Sequence, residues 1–497
     1  MTPKLRRALT WSPLLLAALV GTEACGARSF LSSDTQARAG TGGAGGAGGA
    51  ATVSSSTGFD PSTTIASTSV TTSSSSGVTT SSSSSSSGTG GTGGTVNPII
   101  SDSPGSFLQS ETSVVAGPNG VVAVAWIDLD NTGVSTIGYT FSTDDGATFA
   151  PPTQIQSPGN RVASDPLLAI DAMGNIYVTW VAFHTDAQGN PNSMRIYVSR
   201  ADAGGTTFGT PIRVSAQGDT ASFDKPWITA TNGGALLLTY ERNAMPNDYS
   251  VVAARSNDGG MTWQRTPIAD DATGMVFRNL AFPCAPKDGG HVWVTYLAET
   301  GLGIDVRLAR SDDGGATWSS ETIVSQANEQ VSFDDPTCAA ENDQVWIAYG
   351  LTHDMTDPKA TKADKAYSIQ LVHSNDAGQS FDTRLEAADP AAGAFFQHPF
   401  IALEDAGVID VVYYAGQDDL DPAGSYRRAR QSATQPGNGF DPSVVVEAPV
   451  TFLQARDDQR WLGDYTGLFW RGGELYMSYV TNASGTAHIA FTRATVP

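Results

Sequence analysis

Seven short apolar runs ending in an aromatic residue recur along this chain: VVAVAW to Trp126, IYVTW to Trp180, ALLLTY to Tyr240, VWVTY to Tyr296, VWIAY to Tyr349, IDVVYY to Tyr414 and ELYMSY to Tyr479. After a loop, each is followed by a second run: STIGYTFS, RIYVSR, SVVAARS, DVRLARS, IQLVHS, YRRARQS and AHIAFTR. The spacing of 53 to 65 residues is that of a four-stranded blade, and Gly, Asn and Asp turns between short strands are the mark of an all-β chain. A unit this small cannot bury its apolar faces alone, so the repeats must stack. The pattern predicts a seven-bladed β-propeller over residues 97–497, with six blades as the alternative.

The ring also has a predicted way to close. The last repeat lacks a fourth strand, while VNPIISDSPG before the first repeat matches the fourth-strand segments TPIRVSAQG and ETIVSQAN. Residues 97–103 are therefore expected to complete the final blade and remove its open edge.

A turn motif follows the second run in phase with the strands. RSDDGGATWSS from Arg310 has near-copies in RSNDGGMTWQR from Arg255, HSNDAGQSFDT from His373 and FSTDDGATFAP from Phe141. A stretched version spans Ser199 to Phe208, and a degenerate one lies near Gly437 to Phe440. Ser and Asp side chains suit the amides of a tight turn, and Gly supplies a conformation that a Cβ disfavours. The motif resembles the Asp-box, or BNR repeat, of the sialidase superfamily. That resemblance implies a structural role for Asp144, Asp258, Asp313 and Asp376 in the hairpin between the third and fourth strands.

In such a ring the inner strands begin on the face opposite these turns. Their starts read SETSVVA, SDPLLAI, FDKPWITA, RNLAFP, FDDPTCAA, QHPFIAL and GDYTGLF. Matched positions place Glu111, Asp165, Lys225, Asn279, Asp335, His398 and Asp464 around one mouth of the channel, with Asp224, Arg278 and Asp334 beside them. Arg460 is also expected near the mouth. The ligand-binding candidates are Glu111, Asp165, Asp224, Lys225, Arg278, Asp335, His398 and Arg460. A plainer reading stays open, in which an acid before proline starts a strand and satisfies turn amides.

The sialidase resemblance implies a tyrosine nucleophile, a carboxylate acid-base and an arginine cluster for the substrate carboxylate. Tyr465 in GDYTGL resembles the family's late tyrosine segment, so the catalytic candidates are Tyr465, Asp464 and Asp128. The chain departs from that pattern in lacking an early Arg-Ile-Pro and an arginine beside Asp128. The two readings are thus a binding propeller for an extracellular glycan or protein surface, and a sialidase-like glycoside hydrolase. No HExxH, GxSxG or phosphate loop is present.

No cofactor is expected, with calcium as the alternative. Asp128, Asp130 and Gly133, like Asp419, Asp421 and Gly424, have spacing reminiscent of calcium loops but lack the distal bidentate glutamate. A formal charge of −22 argues against nucleic acid, whose phosphates it would repel. A monomer is expected.

Residues 1–25 read as an export signal: cationic MTPKLRR, apolar ALTWSPLLLAALV, then Ala24 before Cys25. This resembles a bacterial lipoprotein signal, which implies lipidation of Cys25 and a place in the cell envelope, or secretion. Membrane contact is expected only through that anchor. Residues 26–96 are almost entirely Gly, Ala, Ser and Thr, too poor in apolar surface to fold, and read as a tether reaching about 45 Å. Cys284 and Cys338 occupy equivalent points on neighbouring inner strands, at about the same distance before Tyr296 and Tyr349. They could form a disulfide in an oxidising compartment.

Overall fold

The computed structural model describes residues 97–495 apart from 103–104, 187–190, 232, 245–247, 270–275, 287–289, 301–302, 353–366, 382, 405–407, 418–423, 432–438 and 452–460. The export signal, the tether, Cys25, Arg460, Asp419 and Asp421 thus lie outside the described residues. Seven antiparallel sheets follow one another along the chain, six of four strands and one of three. Their inner strands are Ser106–Ala116, Val162–Ile170, Ser222–Ala230, Phe277–Cys284, Thr337–Glu341, Phe395–Leu403 and Gly467–Arg471. We number the blades 1 to 7 in that order. The chain is a seven-bladed β-propeller.

The second strand of each blade is sandwiched between neighbours, which explains its unbroken apolar texture. Trp126, Trp180, Tyr240, Tyr296, Tyr349, Tyr414 and Tyr479, the aromatic ends that mark the repeat, are all buried. Blade 7 has three strands of its own, Gly467–Arg471, Glu474–Thr481 and His488–Thr495. Its outer edge is met by the segment before blade 1: Ile99 bridges Ala490 in antiparallel fashion, Ile100 N donates to Ile489 O at 2.9 Å, and Phe491 N donates to Pro98 O at 3.2 Å. Within the described part of the predicted 97–103 span, Ser101 adds a further contact by accepting Ile489 N at its side-chain oxygen, 2.8 Å away.

The repeated turns hold blades to one another. In blade 4, Asp313 accepts hydrogen bonds from Ser311 Oγ, Thr317 N and Thr317 Oγ1 at 2.7 to 2.8 Å. Asp144, Asp258 and Asp376 repeat the arrangement. Gly378 has φ +82°, and a Cβ there would lie 2.5 Å from Leu308 Cδ2 of the preceding blade. Gly146 of blade 1 is pressed in the same way against Phe491 of blade 7, 2.5 Å from a would-be Cβ.

A second staple was not visible in the motif alone. The residue just before two of the hairpins reaches forward to the turn of the next blade: Arg255 Nε donates to Gly314 O at 2.8 Å and Arg310 Nη1 to Ala377 O at 3.4 Å. On blade 7, Arg493 Nη1 donates to Asp145 O of blade 1 at 3.1 Å. Inner strands are joined as well, since Cys284 of blade 4 and Cys338 of blade 5 form a disulfide, with Cα atoms 5.8 Å apart.

Candidate functional site at the channel mouth

The inner strands do not run straight into the channel. Pairing with the second strand is interrupted between Ser110 and Ser113, Ser164 and Leu167, Asn279 and Phe282, and Gln397 and Phe400. In blade 3 the break falls opposite, between Thr239 and Glu241. At each bulge a non-glycine residue takes left-handed φ: Glu111 at 48°, Asp165 at 55°, Lys225 at 46°, Leu280 at 51° and His398 at 54°. Such residues persist only where surroundings over-determine them. The surroundings here include carboxylates: Glu241 Oε1 of blade 3 accepts Leu280 N of blade 4 at 2.7 Å, and Asp334 Oδ2 of blade 5 accepts His398 N of blade 6 at 2.7 Å.

Three of the bulges and the segment before the inner strand of blade 7 bring together four side chains that the chain separates widely. Lys225 Nζ lies 2.7 Å from Asp464 Oδ2, 3.0 Å from Asp165 Oδ1 and 4.0 Å from Glu111 Oε1. Lys225, Asp165 and Glu111 are buried, whereas Asp464 keeps 30% of its side chain exposed, making it the member of the cluster that meets solvent. Burial would push the ammonium of Lys225 down, but Asp165, Asp464, Glu111 and Asp224 outweigh it and hold the pKa well above its ordinary value.

Asp335 joins the same field. Burial drives its carboxyl up to about 7, with Lys225 opposing and Asp464, Asp165 and Asp224 reinforcing. Among the described residues its Oδ1 is buried without a hydrogen-bond partner, as is Asp165 Oδ2. Burial takes Glu241 up to about 8, helped by Asp224, and drops His398 to about 4. The site therefore holds one firm cation, a neutral imidazole and more acceptors than donors. Hydroxyl groups would complement it.

Two residues beyond three of the bulges stand Trp227, Phe282 and Phe400, which with Tyr465 form an aromatic floor. Ring centroids are 4.5 Å apart for Trp227 and Phe282, 5.2 Å for Trp227 and Tyr465, and 6.2 Å for Phe282 and Phe400.

Several predicted site residues stand elsewhere. The matched position in blade 4 is Leu280, not Asn279, whose amide instead donates to Glu299 at 2.7 Å. Arg278 turns into its own blade, with Nε 2.7 Å from Glu321. Tyr465 is buried in the floor and donates to Pro166 O at 3.3 Å; burial and the charges of Glu111 and Asp165 raise its hydroxyl well above 10, the reverse of an activated nucleophile. Asp128 is held by Ser106 Oγ at 2.5 Å and Gln154 Nε2 at 2.8 Å. Asp130 caps its own turn, accepting from Thr132 N and Val134 N. Asp224 accepts the amide of Lys225 at 3.0 Å, and Asp334 accepts that of Asp335 at 3.0 Å.

Glu241 was missed in the sequence. It is the only polar residue directly after the seven aromatic strand ends, where the others are Ile127, Val181, Leu297, Gly350, Ala415 and Val480.

No protein-family model matches this chain, and no curated protein matches it. Among solved structures, it is similar to an ulvan lyase of a new polysaccharide lyase family, with 12% identity, a TM-score of 0.51, and coverage of 78% of this chain and 94% of that one. A protein of unknown function from Dyadobacter fermentans matches at 16% identity and TM-score 0.49, over 81% and 98% of the two chains. A Hadza microbial sialidase matches at 15% and 0.48, over 78% and 66%. At these identities the likeness is one of fold.

Proposed function

We propose that this protein is an exported, lipid-anchored propeller of the Asp-box type that binds an extracellular glycan at the channel mouth. The observation that carries the reading is the set of five bulged inner strands, each holding a non-glycine residue at positive φ on the same face. Strain of this kind clusters at functional sites, and here it surrounds an exposed carboxylate, Asp464, on a buried cation. Unpartnered acceptors on Asp165 and Asp335 suit a ligand rich in hydroxyl donors, with the aromatic floor closing the channel beneath. In this reading Cys25 carries the lipid, and residues 26–96 hold the head away from the membrane.

A glycan array probed with the full chain tests the reading. Binding that disappears on Asp464→Ala supports it; an array with no hits, or hits indifferent to that substitution, would sink it.

A second reading, glycan cleavage at the same mouth, is favoured by one observation. Asp335 holds its proton near neutrality while Asp464 is tied to Lys225, so two carboxyls of different protonation share the site. The acid would then be Asp335, with no nucleophilic role for Tyr465. Turnover of fluorogenic sialosides or glycosides that is lost on Asp335→Asn would support it.

A further inference from the structure

Away from the axis, the boundary between blades 2 and 3 gathers arginines drawn from more than a hundred residues of sequence. Arg161 directly precedes the inner strand of blade 2, Arg195 lies in its third strand, Pro191–Ala201, and Arg213 in its fourth, Ile212–Arg213. Arg242 lies near the end of the second strand of blade 3, Leu236–Ala244, and Arg265 in its fourth, Gln264–Ala269.

Three of them clasp the connection that leads from blade 2 to blade 3. Arg265 Nε donates to Val214 O at 2.5 Å, Arg213 Nε donates to Ser215 Oγ at 3.2 Å and its Nη2 to Ala216 O, and Arg242 Nε sits 2.7 Å from Asp219 Oδ2. The other two have no such duty. Among the described residues, Arg195 donates to the carbonyl of its neighbour Met194, and Arg161 Nη1 is buried with no hydrogen-bond partner.

Charge is left over. Among the described residues no carboxylate lies within ion-pair distance of Arg161, Arg195, Arg213 or Arg265; Asp219, held by Arg242, also feels the charge of Arg195. The guanidinium groups feel one another: burial first, then Arg195, Arg161 and Arg265, push Arg213 below its ordinary range. After burial, the charge of Arg161 also lowers the imidazole of His184. Like charges gathered on a chain of net −22 repel one another unless an anion stands between them, and planar guanidinium forks match sulfate and carboxylate groups bidentately.

We propose that this patch binds the sulfate or carboxylate groups of an acidic polysaccharide, apart from the axial mouth. The choice of a glycan as occupant rests on the reading above, while the arginine patch and the axial mouth are tested by separate substitutions. Glycan chemistry is favoured over an acidic protein because the patch lies on the same rigid ring as an axial site suited to hydroxyl donors.

The test uses the full chain on immobilised dextran sulfate, polygalacturonate, neutral dextran and poly-glutamate at physiological salt. Retention is expected on dextran sulfate or polygalacturonate but not on neutral dextran. It should weaken about tenfold or more in Arg161→Gln/Arg195→Gln, with a shallower salt dependence. Arg161→Lys/Arg195→Lys, which keeps the charge, should retain most of the affinity and so separates lost binding from lost folding. Equal elution from the acidic polysaccharides and neutral dextran would overturn the proposal. So would unchanged retention of the glutamine variant, and so would equal or tighter retention on poly-glutamate, which would point to an acidic protein surface instead.

Discussion

Lys225 Nζ and Asp464 Oδ2 are 2.7 Å apart although 239 residues separate them in sequence. The contact joins blade 3 to blade 7, and Asp165 and Glu111 bring blades 2 and 1 to the same ammonium. One side chain therefore links four blades across the point where the ring closes. Removing one partner of a buried ion pair leaves the others desolvated and uncompensated, at a cost of about 3–5 kcal/mol. Lys225→Met should lose stability on that scale in urea unfolding, and Lys225→Met/Asp165→Leu should recover part of it. A loss below about 1 kcal/mol in the single variant would mean that the cluster does not hold the ring.

The acids of the mouth should make the head less stable in mild alkali. Asp335, at about 7, and Glu241, at about 8, hold their protons more tightly in the folded state than in the unfolded chain. Their contribution is complete below the unfolded value of roughly 4 and is lost as pH rises through 7 to 8. His398 works in the opposite sense, since its folded value of about 4 lies below the unfolded one; its contribution is present above roughly 6.5 and lost as pH falls toward 4. Above roughly pH 6.5 the histidine is silent, so the urea midpoint should fall to about pH 8 and level off beyond it, where both acids are ionised in the folded state as well. Asp335→Asn or Glu241→Gln should flatten that slope. A midpoint that rises over this range would contradict the assignment.

Much of this architecture was legible because repeats report in phase. Seven aromatic strand ends and four good turns predicted the ring, the matched segment NPIISDS predicted its closure, and equivalent places on neighbouring strands put Cys284 beside Cys338. The mouth was legible where proline marks the bulge, after Asp165, Lys225 and His398; Asp335 also precedes a proline, but no break in pairing accompanies it. It failed at RNLAFP, where Ala281 follows the bulged residue and nothing fixes the register, so Asn279 was taken in place of Leu280. Arg278 was misplaced because alternation along a bulged strand no longer says which way a side chain points. The arginines between blades 2 and 3 were invisible because they lie on five different strands or strand starts; only packing of the two blades collects them.

The turns make a paired prediction. Gly378 has a positive φ and a would-be Cβ 2.5 Å from Leu308, whereas a Cβ on Gly290 would meet nothing within 4 Å. Gly378→Ala should cost more than about 1 kcal/mol, and Gly290→Ala should stay within about 0.5 kcal/mol of the parent. Equal effects would mean that the turns do not press on the preceding blade.

The disulfide closes a sequence separation of 54 residues, worth about 4 kcal/mol in the loop-entropy model. Thiol titration of the unreduced, denatured head, residues 97–497, should find essentially no free thiol. Cys284→Ala/Cys338→Ala should unfold at clearly lower urea, and two reactive thiols per parent molecule would rule the crosslink out.

Calorimetric titration of the best array glycan into the parent, Asp464→Ala and Arg255→Ala chains tests the mouth most directly, because Arg255 lies in the turn layer on the opposite face and serves as the control. The account predicts that Asp464→Ala weakens binding by about tenfold or more while Arg255→Ala leaves affinity unchanged. Equal affinity in the parent and Asp464→Ala chains, or a larger loss in Arg255→Ala, would contradict it.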